Sequence, residues 1–492
     1  MLRCPRVSTK PSQKSPTPLS AKSWKYLLLL IATFVYFNAG ADWMRAEKGQ
    51  IKSGSDFAER ASRLFWPPWR GFQLYVSHES DEHLYFEFSR LILGENADLG
   101  HIARQTMGDT NANLTDLQAH VKPGPGLRLP YRDVSVGYPP VGVLAMLVPR
   151  LAASTLPAYR LAFGFMMGAL YLLTLALGWR LARRCNLPLA KEEWLWRGLM
   201  LLLAVGPIII SRFDVVPALL TLCVVLFLAE QRPYLAGLFF VAGVAAKMFP
   251  LLLMPTWVAL MFCFGGQARQ TIVRMCLFLG TLAVGGAVSI LLLTGNLLPL
   301  LADTLLFRSR PFQLESTVGS ILLALSGSDV IVGSFGSHNV STPLGQLLAR
   351  GWEAVMLLSV VGVAGLAGYF ASRHRHFGRA QQNQTLVSFT LAALLAMLCT
   401  SKILSAQYPI WCVPLVALLP QAPGRRIYQL FCLALVLTQL EFPILYGLLL
   451  AGAPPVVAVL VLRNVLLWVL LGLTLRTSLQ SYEGLHHDRH GA

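Results

Sequence analysis

Residues 275–293 read MCLFLGTLAVGGAVSILLL, an uncharged apolar run close to the ~20 residues that carry a helix across a ~30 Å hydrocarbon core. The runs Trp24–Gly40, Ala158–Leu181 and Val456–Leu475 share this character. Hydrophobic residues make up 55% of the 492-residue chain and charged residues only 13%, against roughly 25% charge in a soluble domain. Lipid offers no partners to exposed backbone N–H and C=O groups, so many such runs in one chain imply helices packed on helices. The expected fold class is all-α, a polytopic transmembrane helix bundle.

The net charge of +17, from 41 Lys+Arg against 24 Asp+Glu, reads as topology in this context, because basic residues collect on cytoplasmic loops. Residues 1–23 form a basic, Ser- and Pro-rich cytoplasmic tail. The apolar segment after it ends in Ala39-Gly40-Ala41, which resembles a signal-peptidase site, but is read as an uncleaved anchor. With Arg180/Arg183/Arg184, Arg232, Arg269/Arg274, Arg373/Arg375/Arg379 and Arg425/Arg426 facing the cytoplasm, the spans fall near 158–182, 195–211, 214–230, 234–247, 249–264, 275–294, 352–372, 385–400, 404–420, 427–450 and 455–476. With the first span these make about 12, in one transmembrane domain over residues 24–476, followed by a cytoplasmic tail at 477–492. Residues 141–153 and 317–349, short and broken by Pro and Gly, are expected as re-entrant half-helices.

Other classes fall away. No nucleic-acid module is present to use the basic charge. None of the eight cysteines lies in the long polar loop or forms a C-x-x-C pair, so neither a disulfide framework nor a zinc site is expected. His374/His376 and His486/His487/His490 stand in basic segments at cytoplasmic ends, and no bound metal is expected there.

The one long polar stretch, residues 42–136, holds 13 of the 24 acidic residues and 11 basic ones. A loop of this length is usually functional or disordered. Its amphipathic pieces Phe65–Tyr75 and His83–Leu93 predict juxtamembrane helices, and it follows the first span to the outer side. The threading puts Ser211-Arg212-Phe213-Asp214, Lys247-Met248-Phe249-Pro250, Phe307–Ser316 and Ser401–Tyr408 on that same side. An ionisable group inside a span costs about 2.5–3.5 kcal/mol on insertion scales, so these polar breaks are functional candidates. Each has a plainer reading. His78–Phe86 suits a solvated acidic loop, and Tyr138-Pro139-Pro140 an extended helix entry. Arg212 and Asp214 could pair locally across a turn. Lys247 could meet an anion or snorkel to the interface. Arg308 and Arg310 with Glu315 suit a phosphate diester and a sugar hydroxyl, or a solvated loop. Gln407 and Tyr408 could simply close an interfacial turn.

Taken in order, these motifs resemble glycosyltransferase family 87, within the GT-C superfamily of integral-membrane transferases. The matching residues are Ser80-Asp81 with Tyr85-Phe86 and Gly94; Pro130-Tyr131-Arg132-Asp133; Tyr138-Pro139-Pro140; Arg212-Phe213-Asp214 with Pro217; Ala236-Gly237, Lys247 and Pro250; Arg310, Gln313 and Glu315-Ser316; and Lys402, Ser405, Gln407-Tyr408, Trp411 and Pro414. They extend from about residue 78 to 415. The resemblance implies inverting transfer of a mannose- or arabinofuranose-type sugar from a polyprenyl-phosphate donor to a lipid-linked or cell-envelope glycan. It places the chain in the cell membrane as a multi-pass protein with its active site outside the cytoplasm. Asp81 takes the role of general base, with Asp42, Glu79 and Glu82 as rivals in the same loop. Arg310, with Lys247, Arg308 or His338, stabilises charge on the leaving phosphate, and Glu315, Gln407 and Tyr408 complete the donor site. Tyr85, Arg132, Asp133, Tyr138, Arg212 and Asp214 support the loop or the acceptor. No cofactor is implied beyond the donor lipid as co-substrate, and no nucleic acid. The competing class is a multi-span transporter or lipid flippase, for which broken helices also serve.

Overall fold

The computed structural model describes residues 81–106, 126–134, 136–264, 268–294, 310–334, 336–419 and 424–480, together with helical positions Lys25 and Leu29. The basic tail, most of the first apolar segment, Asp42, Phe65–Tyr75, Glu79, Arg308 and residues 481–492 lie outside the described residues.

The described chain is nearly all helix. Two short helices, α1 (Asp81–Ile92) and α2 (Leu99–Thr106), precede the bundle. There follow α3 (Pro140–Leu147), α4 (Leu156–Arg184), α5 (Lys191–Val205), α6 (Val215–Ala229), α7 (Pro233–Ala246), α8 (Pro250–Phe264) and α9 (Ala268–Thr294). After strand β1 (Phe312–Gln313) come α10 (Thr317–Ser326), β2 (Ile331–Ser334), β3 (Ser337–Val340), α11 (Pro343–Ala349), α12 (Trp352–Arg373), α13 (Arg379–Thr400), α14 (Gly424–Gln439) and α15 (Pro454–Gln480). Among the described residues, six helical stretches are long and apolar enough to cross a membrane: Leu156–Arg184, Ile272–Ser289, Trp352–Arg373, Arg379–Thr400, Gly424–Ile444 and Pro454–Leu479. The chain is a membrane protein.

Local chemistry sets the boundaries. Proline opens α3, α4, α7 and α11, where its missing N–H costs nothing. Arg183 and Arg184 end α4, and Glu192 and Glu193 begin α5, each matching the sign of the helix dipole. Gly206, at φ +65°, stops α5. α13 is the central element, 89% of its apolar window being buried, and α8, α12 and α15 pack on it. At the periphery, only 6% of the Ile272–Ser289 window of α9 is buried. Its hold on α7 uses small residues: Thr281 meets Gly237, and Val241 meets Gly285.

Four expectations are corrected. The fold is not purely α: β1, β3 and β2 form a three-stranded antiparallel sheet, with Phe312 opposite Val340 and Val332 opposite Asn339. Residues 317–349 were expected as half-helices. The β-branched Ile331, Val332 and Val340 with the Gly336 turn (φ +64°) form a hairpin inside that stretch instead. The stretch 404–420 is also not a continuous helix. It is a 3₁₀ turn (Tyr408–Cys412) followed by one helical turn (Val413–Val416), in line with Pro409 and Pro414. Finally, 427–450 breaks at Leu440–Ile444, where Phe442 before Pro443 leaves helical geometry (φ −139°, ψ 123°).

The bundle has two chemically different ends. At one, Arg180 and Arg184 of α4 clasp Glu230 at the end of α6 (2.7 and 2.6 Å for Arg180, 3.2 Å for Arg184). At the other, α1 lies on the start of α4 through Phe86–Tyr159 and Tyr85–Phe163 ring contacts.

Candidate functional site

The site begins with α1. Asp81 and Glu82 fill its first turn, where exposed N–H groups favour anions. One face packs into the protein through Leu84, Tyr85, Phe88 and Leu91. That packing leaves Asp81 half-buried at the helix start, while Glu82 is only 3% exposed. Asp81 ion-pairs with Arg212 and accepts a hydrogen bond from the Tyr85 hydroxyl at 3.2 Å. Burial drives the Tyr85 phenol well above its ordinary pKa, so it remains a donor. Tyr85, Tyr138 and Phe213 surround this corner edge to face, with centroids 5.7–5.9 Å apart.

Next in the chain, Arg212 and Asp214 do not pair with one another. Between α5 and α6 the extended Arg212 (ψ 144°) separates their side chains. Asp214, 1% exposed, accepts from Lys247 Nζ and from Trp411 Nε1, both at 2.7 Å. Lys247 is the first residue past α7 and turns its ammonium over three rings, Phe213, Tyr408 and Trp411, at 4.5–5.2 Å. Trp411 is stacked between Phe249 (3.9 Å) and Tyr408 (4.3 Å). Lys247 thus meets a carboxylate and an aromatic box.

The third contributor is the 310–316 segment. The Gln313 N–H donates to the Lys402 carbonyl at 2.9 Å, and the Gln313 side-chain amide donates to Ser405 Oγ at 2.9 Å. Arg310 is buried and donates to Ser337 Oγ, with Tyr408 among its neighbours. Lys402 turns away and pairs with Glu353 at the start of α12. Gln407 is half-buried at the cap of the Tyr408–Cys412 turn.

Glu315 is not on a loop surface. It is 3% exposed and faces the helices, accepting from the Tyr446 hydroxyl at 3.4 Å. Tyr446 in turn meets His338 Nδ1 at 3.0 Å. The Glu315 backbone carbonyl takes N–H groups from Arg463 (3.1 Å) and Asn464 (3.2 Å). Arg463 grips Glu441 at 2.6 and 3.2 Å, with both residues fully buried. Phe442 connects this network to the first. Its ring lies 5.9 Å from the Arg212 guanidinium and 5.1 Å from the Tyr446 ring.

The four polar interruptions thus form a chain of contacts that reaches Asp81 through Arg212. Arg132 and Asp133 do not join them. Asp133 is satisfied within its own turn by the Leu129 N–H (2.9 Å) and by Arg132 (3.0 Å). Arg132 stays exposed, and Tyr131 instead reaches the Tyr138 carbonyl. Glu441, Arg463, Asn464 and Tyr446 were absent from the sequence-derived site, although a signal existed. Glu441 is the only acid between Glu353 and Glu483, and Arg463 interrupts the run from Val456 to Leu475. Among the described residues, no group of three or more His, Cys, Asp or Glu side chains could hold a metal ion. Comparison of the chain with family models, with curated proteins and with solved structures returned no match.

Proposed function

We propose that the chain is an inverting membrane glycosyltransferase that moves a sugar from a polyprenyl-phosphate donor to a lipid-linked or cell-envelope glycan, with Asp81 as general base. The observation that carries the reading is the junction of Asp81, the 212–214 turn, Lys247, the 310–316 segment and Tyr408–Trp411 in one contiguous polar and aromatic corner. Lipid-facing helices have no structural need for such a corner, and burying it without partners is costly.

In this reading Arg212 and Tyr85 hold the half-buried Asp81 carboxylate toward the acceptor hydroxyl. As the sugar C–O bond to phosphate breaks, the acceptor oxygen attacks the opposite face and Asp81 takes its proton. Arg310 is assigned to stabilise the developing phosphate charge, with His338 and, from the sequence alone, Arg308 as further candidates. Lys247 and Asp214 support this work by fixing the Tyr408–Trp411 stack. No cofactor is assigned beyond the donor lipid.

The proposed architecture has twelve spans. The first apolar segment, the six long helices, α5–α8 and the broken 404–420 stretch all cross, and both termini lie in the cytoplasm. Helices of 14–15 residues such as α6, α7 and α8 reach only ~22 Å at ~1.5 Å per residue. They complete a crossing with their flanking turns. The Glu230 end faces the cytoplasm and the Asp81 end faces outward, in the cell membrane.

The test is radiolabelled polyprenyl-phosphate sugar incubated with purified protein and membrane lipid. Transfer to lipid should occur and should fall at least about 100-fold in Asp81→Asn, with the fold retained. Absence of transfer with every donor, alongside substrate uptake into vesicles, overturns the reading in favour of a transporter.

A further inference from the structure

Two carboxylates and one guanidinium are buried together where α14 breaks. Glu441 engages Arg463 Nε and Nη2 with both oxygens, leaving Arg463 Nη1 without a hydrogen-bond partner. Glu315 has no such partner: no cation among the described residues lies in ion-pair contact with it. Its carboxyl receives the Tyr446 hydroxyl at 3.4 Å, with the Gln313 side chain and its own backbone N–H also directed at it, but its Oε2 has no hydrogen-bond partner. Asn464, whose amide N–H groups serve the Glu315 and Ser316 carbonyls and Ser320 Oγ, has an orphaned acceptor in Oδ1. The groups that face Glu315 are Arg463 and Asn464 from α15, Glu441 from the α14 break, Tyr446, Gln313 and Arg310. An ionised carboxylate at this depth, with one oxygen left without a hydrogen bond and a second carboxylate nearby, carries a desolvation cost of several kcal/mol. Protonation removes that cost and turns an orphaned acceptor into a donor.

We propose that Glu315 is a proton-binding site inside the bundle that exchanges its proton through Tyr446 with half-buried His338. Glu315 gives its proton to the Tyr446 oxygen as the Tyr446 O–H passes its own proton to His338 Nδ1, 3.0 Å away. His338 then exchanges with water, and reversal reloads the carboxyl. The relay shares His338 with the proposed phosphate site but needs no sugar transfer to run, and Asp81 lies on the other side of Phe442.

Infrared difference spectroscopy of the full chain in lipid nanodiscs near neutral pH tests the assignment. A protonated-carboxyl C=O band that shifts in D₂O is expected, and Glu315→Gln should lose it. Tyr446→Phe should keep the band but slow its hydrogen–deuterium exchange, an effect that a packing role alone does not produce. Three results overturn the proposal: no such band in the wild type, a band that survives Glu315→Gln, or a band removed by sodium at constant pH, which would mark a cation site. If Glu315→Gln does not fold, the exchange rate in Tyr446→Phe decides, unchanged exchange being the refutation.

Discussion

At the scale of single residues, the site is built from charges that are already spent on one another. Asp214 is the clearest case, because it holds both Lys247 and the Trp411 indole from a position 1% exposed. Asp214→Asn should therefore destabilise the protein by about 3–5 kcal/mol, the usual cost of breaking one half of a buried pair. A lower thermal midpoint of the solubilised protein, with a loosened Trp411 seen as altered tryptophan fluorescence, checks this. Glu87 behaves differently, being at the surface-side helix α1. Burial pushes its carboxyl up, but hydrogen bonds from His83, the Asp98 N–H and Arg90 outweigh burial and bring it down to about 2 from an ordinary 4.5. A folded-state pKa below the unfolded one stabilises above the unfolded value. The α1–α2 contact should thus be intact above about pH 4.5 and weaken as pH falls toward 2. Hydrogen exchange in residues 81–106 should rise over that window, and Glu87→Gln should flatten the dependence.

At the scale of elements, short broken pieces position the chemistry better than the long helices do. Ser316 caps α10 by accepting the Gly319 N–H at 3.1 Å while donating to the Gln313 carbonyl at 2.7 Å. A methyl group on Gly319 would run into that same Gln313 carbonyl. Gly319→Ala should cost about 1–3 kcal/mol through overpacking and should pull Gln313 off Ser405. Reduced transfer together with a lowered thermal midpoint is the expected outcome, and an unchanged midpoint would remove the steric account. The helix α10 was legible from its apolar sequence, but the sheet beside it was not. Ile331–Ser334 and Ser337–Val340 are short, and their pairing with Phe312-Gln313 is a long-range contact that no local pattern announces.

For the molecule as a whole, the separation of a basic end from the Asp81 end predicts sidedness. Arg232 is exposed beside Glu230, and Gly137 is exposed beside Tyr138, with open space where a Cβ would stand. Arg232→Cys should react with a membrane-impermeant maleimide only from the cytoplasmic side, and Gly137→Cys only from the opposite side. Labelling of both from one side would overturn the threading that puts the four polar breaks outside the cell.

The amino-acid sequence by itself determined that this chain lives in a membrane as packed helices, because hydrocarbon compatibility depends on composition and run length alone. It also marked Arg212, Asp214, Lys247 and the 310–316 segment as polar interruptions among apolar spans, since the cost of an ionisable group in a span is local, and it placed Asp81 in the one acid-rich loop. Only the tertiary structure decided which charges meet. It paired Arg212 with Asp81 instead of Asp214, boxed Lys247 with aromatics, kept Arg132 and Asp133 to their own turn, and turned Glu315 inward toward Arg463 and Tyr446. Those partners lie up to 197 residues apart in the chain, as Asp214 and Trp411 do. Their union depends on helix packing and on the breaks at Pro409 and Pro443, which fix direction and distance in three dimensions.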